Sequence, residues 1–508
     1  MPVNIRKPVA AGGFYPAGPD KLKNLAAELL AQARSDRKPE GAIRGILAPH
    51  AGYIYSGAVA AEAYACLKGL TFDTAVILGA GHTVSIENAA IVKEGAFATP
   101  LGECGIDSAL ADALLSNHPA LFAHSPAAHA REHSIEVQLP FLQTVLPGVE
   151  ILPVALNHAE PETAARIGAA IAREAEGKAV LIIVSTDFAH YPAAETAEIA
   201  DRTMLLTLET ATRANAPSYF ALAEELLLNE NLPGLDTACC GAAAVMAGLA
   251  AACALGANDF ATLSRANSSR AEGADRNRVV GYGAGAFVER AQKPEPFEFT
   301  GTEKTELLAL ARNSILARLK TGGPLRPALN CNALFNMPAA LFVTLSKNGK
   351  LRGCMGSLEP ADTLQNAVCG LAGSAAFEDP RFPPLGAEEL AEIKIEISIL
   401  SPLRRITSPA EIVPGKHGVL VRRGRRSGTY LPQVWEHFAN NMELFMHSLC
   451  SEKAGLEPDA WKKGAELYLY TATAFCELSY RKGAIPCGIL LEFAPCRFCW
   501  ACRPSRNP

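Results

Sequence analysis

The sequence predicts an α/β domain with a central sheet over residues 1–292, a linker at 293–302, and a compact α+β domain over 303–480. Three observations carry this. In the first part, strand-like apolar runs alternate with helical patterns, as in an α/β fold. Three of those runs end in ionisable residues: 43–50 (IRGILAPH) in His50, 75–82 (AVILGAGH) in His82, and 179–190 (AVLIIVSTDFAH) in Asp187 and His190. After the linker, 390–400 (LAEIKIEISIL) alternates apolar and polar residues with period two, as an antiparallel strand with one wet face does. Ligands of open α/β sheets bind beyond the carboxyl ends of the strands. Polar side chains delivered there by three strands predict one converging site. Imidazole is the commonest side-chain metal ligand, so a metal is the first expectation.

The remaining elements follow in order. Residues 20–34, 107–117 and 162–176 read as helices of the first domain, and the Gly-rich run 278–288 (RVVGYGAGAFV) closes it as a strand. The segment 293–301 (KPEPFEFTG) carries two prolines and little helical signal, which places the linker. A helix at 305–320 then leads to a hairpin, with strands at 339–345 and 351–358 around a turn at 346–350. Residues 431–450 and 467–480 read as helical or mixed. From about 481 periodicity is lost, and the chain ends in Cys496, Cys499 and Cys502 with Cys487 upstream. That C-x2-C-x2-C spacing begins as bacterial ferredoxin runs do, but a cluster needs four thiolates and no pattern supplies the fourth. An atypical C-terminal extension is the preferred reading over an Fe–S site.

Composition bounds the function. At 508 residues the chain exceeds what one core organises, so two domains are expected. A net charge of −5 and a pI near 6.2 argue against a nucleic-acid binder that relies on a basic field. The opening MPVNIRKPVAAGGFYPAGPD has Pro and Gly where a signal peptide needs a long apolar core, and no apolar run reaches the roughly 20 residues of a membrane helix. A cytoplasmic protein is expected, its 14 cysteines being thiols or ligands rather than a disulfide framework.

The segment 235–251 (LDTACCGAAAVMAGLAA) reads as a long Ala-rich helix started at Asp236-Thr237. Cys239 and Cys240 then fall near its N-terminus, where the dipole lowers a thiol pKa and makes a ligand or nucleophile. The competing reading is two small buried residues. His129 and His133 stand four apart and could share a helix face. Gly79-Ala80-Gly81 and Gly281-Tyr282-Gly283 fall short of GxGxxG, so NAD binding is rejected.

Taken together, RKPVAAGGFYP (6–16), APHAGYIYSG (48–57), LGAGH (78–82), EHSIEVQLPF (132–141), STDFAHY (185–191) and ANSS…RVVGY (266–282) resemble the Memo family, which shares a fold with class III extradiol ring-cleaving dioxygenases. The resemblance implies His50, His82 and Cys240 as metal ligands. Asp187, His190, His133 and Glu136 would line the same cleft as outer or acid/base groups. Where the family continues EHSIE-x-H-L, this chain has Gln138, so a role given to that histidine does not transfer. Ring-cleaving iron enzymes use two His and one carboxylate, whereas two His and one Cys is softer. One metal ion is expected, iron or copper first and zinc as the other candidate.

In the second domain, LRGCMG (351–356), AFEDPRFPPL (376–385), EISILSP (396–402), GVLVRRGRRSGTYLPQV (418–434) and KAGLEPDAW (453–461) resemble the AMMECR family. That family has no settled chemistry. Arg352 and Cys354 are candidates for a functional surface, with Glu378, Asp379 and Arg381 bordering it. Arg422, Arg423, Arg425 and Arg426 could meet phosphate, although a solvated hairpin tip is the simpler reading. The two families in one chain resemble the AmmeMemoRadiSam arrangement, which implies a radical-SAM protein as partner. The leading expectation is a metal-dependent redox enzyme, dioxygenase-like, with an unknown small substrate. Its rivals are a non-catalytic metal-binding or docking partner of a radical-SAM enzyme and a zinc-assisted hydrolase.

Overall fold

The structure, a computed structural model, describes residues 4–34, 38–87, 89–406 and 408–477. The cysteines at 487, 496, 499 and 502 lie outside the described residues. The chain divides into two compact units, Met1–Glu295 and Pro296–Pro508.

The first unit is built on an eight-stranded mixed sheet. From one edge the strands are Asp259–Asn267, Gly281–Glu289, Ala42–Ala48, Val180–Ser185, Thr74–Ala80, Glu150–Leu156, Ala89–Ile91 and Phe122–His124. The three strands expected to carry the site are adjacent and parallel, with Ala48 and Gly79 both in register with Ser185. Every residue of Val180–Ser185 and Thr74–Ala80 is buried. Strands covered on both faces have no wet side to alternate with, which is why they read as unbroken apolar runs.

The expected helices form at Pro19–Gln32, Ser108–Asn117 and Pro161–Glu174. Asp107 caps the second by accepting from the Leu110 N–H at 2.9 Å. The Cys-bearing segment differs from expectation. Its helix is Ala242–Ala254, capped at Gly241, so Asp236-Thr237 does not start it. Asp236 instead donates its N–H to the His190 carbonyl, and Thr237 accepts the N–H of His190. The cysteines therefore sit in the turn that precedes the helix. The run of alanines lets Pro161–Glu174 come very close. A Cβ on Gly168 would lie 2.2 Å from the Ala247 carbonyl oxygen.

The second unit has two four-stranded antiparallel sheets. One has the order Lys350–Gly356, Ala340–Lys347, Ile393–Leu400, Ala472–Cys476; the other has Arg404–Ile406, Glu466–Tyr470, Gly418–Arg423, Arg426–Tyr430. Helices Gly301–Thr321 and Leu364–Phe377 pack with the first sheet. The expected hairpin is present. Residues 467–480 are not helical where described, because ELYLY and ATAFC pair as strands with partners far away in sequence. Between 431 and 450 lie the 3-10 segment Pro432–Phe438 and the helix Met442–Ser448.

LRGCMG forms an edge strand, and its first glycine has a packing cause. A Cβ on Gly353 would stand 2.1 Å from the Ala375 carbonyl oxygen. Gly353→Ala is expected to destabilise this unit by about 1–3 kcal/mol, read as a lower denaturation midpoint. An unchanged midpoint would show that the helix can move away.

Candidate metal centre

The three central strands stop side by side, and the residues just beyond them meet. His50 follows Ala48 by two positions, Asp187 follows Ser185 by two, and His82 follows Ala80 by two. The Asp187 carboxylate accepts the His50 backbone N–H at 2.8 Å, tying two strand ends together. Cys240 comes from the distant turn. Its N–H donates to the Asp187 carbonyl at 3.1 Å, and its Sγ accepts the Asp187 N–H at 3.3 Å. Its sulfur then lies 3.3 Å from His50 Nε2. One ligand atom from each of His50, His82 and Cys240 falls within 4.8 Å of the others, a spacing that could hold a metal ion.

The hydrogen-bond inventory determines which face of each imidazole is free. Ser185 Oγ has a single hydrogen and gives it to the Ser134 carbonyl at 2.6 Å. It accepts from Gln138 Nε2 at 2.8 Å. The contact to His50 Nδ1 at 3.1 Å must therefore be donated by the imidazole. His50 is the Nδ1–H tautomer, and its Nε2 lone pair points toward Cys240. Gln138, the departure from the family motif, thus stands behind His50. Its amide also donates to the Pro49 carbonyl and accepts from the Tyr64 hydroxyl.

Glu132 does the same for two more rings. Its Oε1 lies 3.1 Å from His82 Nδ1 and 3.3 Å from His133 Nδ1. It also accepts the N–H groups of His133 and Ser134, while Oε2 takes the His82 N–H at 2.6 Å. Burial raises its pKa, but these hydrogen bonds outweigh burial and hold it at about 2. The three rings cluster with centroids 4.9–5.4 Å apart. His82, Glu132 and His133 form a second potential ligand group. With its oxygens already taken by N–H donors, Glu132 is better suited to orienting two imidazoles than to binding metal itself.

Charge in the site is governed by burial. Desolvation lowers the pKa of His50, with His133 and His82 adding to the effect, and also lowers His133 and His190, which leaves them neutral at pH 7. It pushes Asp187 up to about 7 against the N–H groups of His50 and Ala51. It also pushes the Cys240 thiol up to about 12, with Asp187 adding to the effect. That reverses the expectation of a thiol acidified by a helix N-terminus, because the sulfur is buried in the turn ahead of the helix. A metal ion would have to displace its proton.

A cavity of about 520 Å³ opens onto this cluster, lined by His50, His82, His133, Asp187 and His190 among others. His190 Nε2 is buried there with no hydrogen-bond partner. Glu136, expected in the same cleft, is placed elsewhere. Its fully buried carboxylate pairs with Arg6 at 2.6 Å and accepts from the N–H groups of Val9 and Ala10 and from the Tyr15 hydroxyl. It anchors the N-terminal segment. His129 and His133 share no helix: the helix Pro126–Ala130 ends between them, and buried His129 bonds the Ala90 carbonyl.

In the second unit, Asp379 accepts the Cys354 N–H at 2.8 Å and Arg381 donates to the Cys354 carbonyl at 3.1 Å. The two side chains close the open side of an edge strand, which is what an edge requires. Arg352 pairs with Glu389 at 2.8 Å, and Glu378 pairs with Arg318. Cys354 is half-buried, with the Thr344 hydroxyl 3.4 Å from its sulfur. Of the arginine run, Arg422 pairs with Glu359, while Arg423 and Arg426 donate to the carbonyls of Lys463 and Gly455. These contacts account for the residues structurally.

Residues 6–286 match the family model described as Memo-like protein, and residues 308–475 match AMMECR1. The MEMO1 family protein of Methanopyrus kandleri is 35% identical over 292 residues, covering 56% of this chain and 98% of its own. That of Methanothermobacter thermautotrophicus is also 35% identical, covering 55% and 98%. A crystal structure of an uncharacterized protein from Pyrococcus horikoshii is 34% identical, covering 36% of this chain and 94% of that one, with a TM-score of 0.33.

Proposed function

Because the chain belongs to the Memo-like protein family over residues 6–286 and carries an AMMECR1 match at 308–475, we propose that it is a metal-dependent redox enzyme acting on a small substrate, with dioxygenase-like chemistry. The observation that carries this reading is the convergence of His50, His82 and Cys240, with both histidines lining a substrate-sized cavity. Two imidazoles and a thiolate suit iron, copper or zinc. Iron or copper would supply electron transfer to or from a bound substrate; zinc would supply only polarisation.

The chain's own residues supply the rest. Asp187, poised near neutrality, can take or give a proton at its carboxylate, where a general acid/base is most effective. His190 has an unclaimed Nε2 in the cavity wall and is neutral, so it can hydrogen-bond a substrate hydroxyl and receive its proton. His133, tethered through Nδ1 to Glu132, presents its other nitrogen as a further polar contact. Phe14 and Tyr282 supply apolar walls.

The test is elemental analysis of anaerobically purified chain, followed by oxygen uptake with catechols. About one iron or copper per chain with catechol-dependent uptake is expected. Bound metal with no turnover, together with copurification of a radical-SAM protein, would replace the enzyme reading with a non-catalytic docking role. Turnover of hydrolysable esters with zinc but not iron would replace it with a hydrolase.

A further inference from the structure

The metal reading leaves one charged group of the cavity without a task. Arg278 lines the same cavity as His50, His82 and His190. Its guanidinium carbon lies 3.9 Å from the centre of the Tyr191 ring. Stacking of this kind uses the face of the guanidinium and leaves its in-plane N–H donors, which match a carboxylate or phosphate in paired hydrogen bonds. Among the described residues, the only interaction Arg278 makes is this stacking. Its neighbours are otherwise engaged. Arg276 pairs with Glu195, and Asp275, which also lines the cavity, accepts the Asn277 N–H at 2.8 Å.

The stacking partner is held in a costly conformation. Tyr191 has φ +73°, a region that bulky L residues rarely adopt. Neighbouring contacts enforce it. The Tyr191 N–H donates to the Val279 carbonyl at 2.6 Å, one residue from Arg278. Gly234 passes so close that a Cβ there would lie 2.8 Å from the Tyr191 carbonyl oxygen. On the other side, His190 bridges to both Thr237 and Val280. The chain thus bends sharply between a histidine that stays in the cavity wall and a tyrosine that stacks on the arginine. Strain kept at such a place is a marker of function.

We infer that Arg278, stacked on Tyr191, is the anion-recognising group of the metal cavity, and that the substrate is a small, partly apolar molecule bearing a carboxylate or a phosphate. The inference rests on the reading of this cavity as the metal-bearing site. The Arg278 guanidinium brings a permanent positive charge to the cavity wall. Phe14 and Tyr282 give the apolar part of such a molecule a surface to lie on.

Calorimetric titration of the full chain, its metal content measured beforehand, tests this with benzoate, phenyl phosphate and neutral benzyl alcohol. At least one anion is expected to bind tenfold or more tightly than benzyl alcohol. Arg278→Gln is expected to abolish that preference while leaving metal content and benzyl alcohol affinity unchanged. Loss for benzoate alone assigns a carboxylate, and loss for phenyl phosphate alone assigns a phosphate. Equal binding of anions and alcohol by the wild type, or an anion preference that survives in Arg278→Gln, overturns the inference. Failure of the metal reading is seen separately, as a wild-type chain that takes up no metal.

Discussion

Cys240→Ser, His50→Ala and His82→Ala are each expected to lower metal affinity by about 10³-fold, as loss of one of three protein ligands on the order of 4 kcal/mol would do. The three ligand atoms lie within 4.8 Å of one another, close enough to share one ion. The pH dependence separates Cys240 from the histidines. Burial first, and Asp187 second, push its thiol up to about 12, so at neutral pH the metal must displace a proton. Affinity should then rise with pH, about tenfold per unit with about one proton released per metal. His50, whose pKa burial lowers, is already neutral and adds nothing to that slope. In Cys240→Ser the slope should flatten. Chelator competition at about pH 6, 7 and 8 reads both effects. Wild-type affinity in all three variants would place the metal elsewhere.

The second large effect divides two glutamates of one motif. Glu132→Ala is expected to cut metal affinity about 10- to 100-fold, the usual cost of losing a group that orients a ligand. It should also cost about 3 kcal/mol of stability, since the buried Ser134 N–H and its neighbours lose their acceptor. Glu132 is held at about 2, below its unfolded value. Its stabilising contribution is therefore present above the ordinary carboxylate range and is lost only as pH falls toward 2. Glu136→Ala should behave differently. It breaks a buried ion pair with Arg6 and orphans the N–H groups of Val9 and Ala10, costing about 3–5 kcal/mol while metal affinity stays within about threefold. Denaturation midpoints and chelator competition on both variants give the comparison. Equal loss of metal in both would show that the division is wrong.

Those two glutamates also mark the limit of what a motif can tell. Both lie in EHSIE, and from spacing alone either could face the cleft. Residues 132–135 are irregular and the 3-10 turn Glu136–Gln138, leading into Leu139–Val145, begins only at the second glutamate, so no helical period sorts the two faces. The one available signal for Glu132 was its place directly before His133, within reach of that residue's own N–H. In the second unit, Asp379 and Arg381 are close in sequence to each other but not to Cys354, whose exposed edge they close.

The residues alone were enough for the three central strands, the complete burial of two of them and the delivery of His50, His82 and Asp187 beyond their ends. Those properties are local: an unbroken apolar run, then a polar residue where it stops. They were not enough for the start of the Cys-bearing helix, the raised pKa of its thiol or the tautomer of His50. Each of these depends on partners distant in sequence. Cys240 and His50 are 190 positions apart, and His50 and Ser185 are 135 apart. A side chain's periodicity encodes the face it takes, but its protonation and hydrogen-bond partners depend on what the folded chain packs around it.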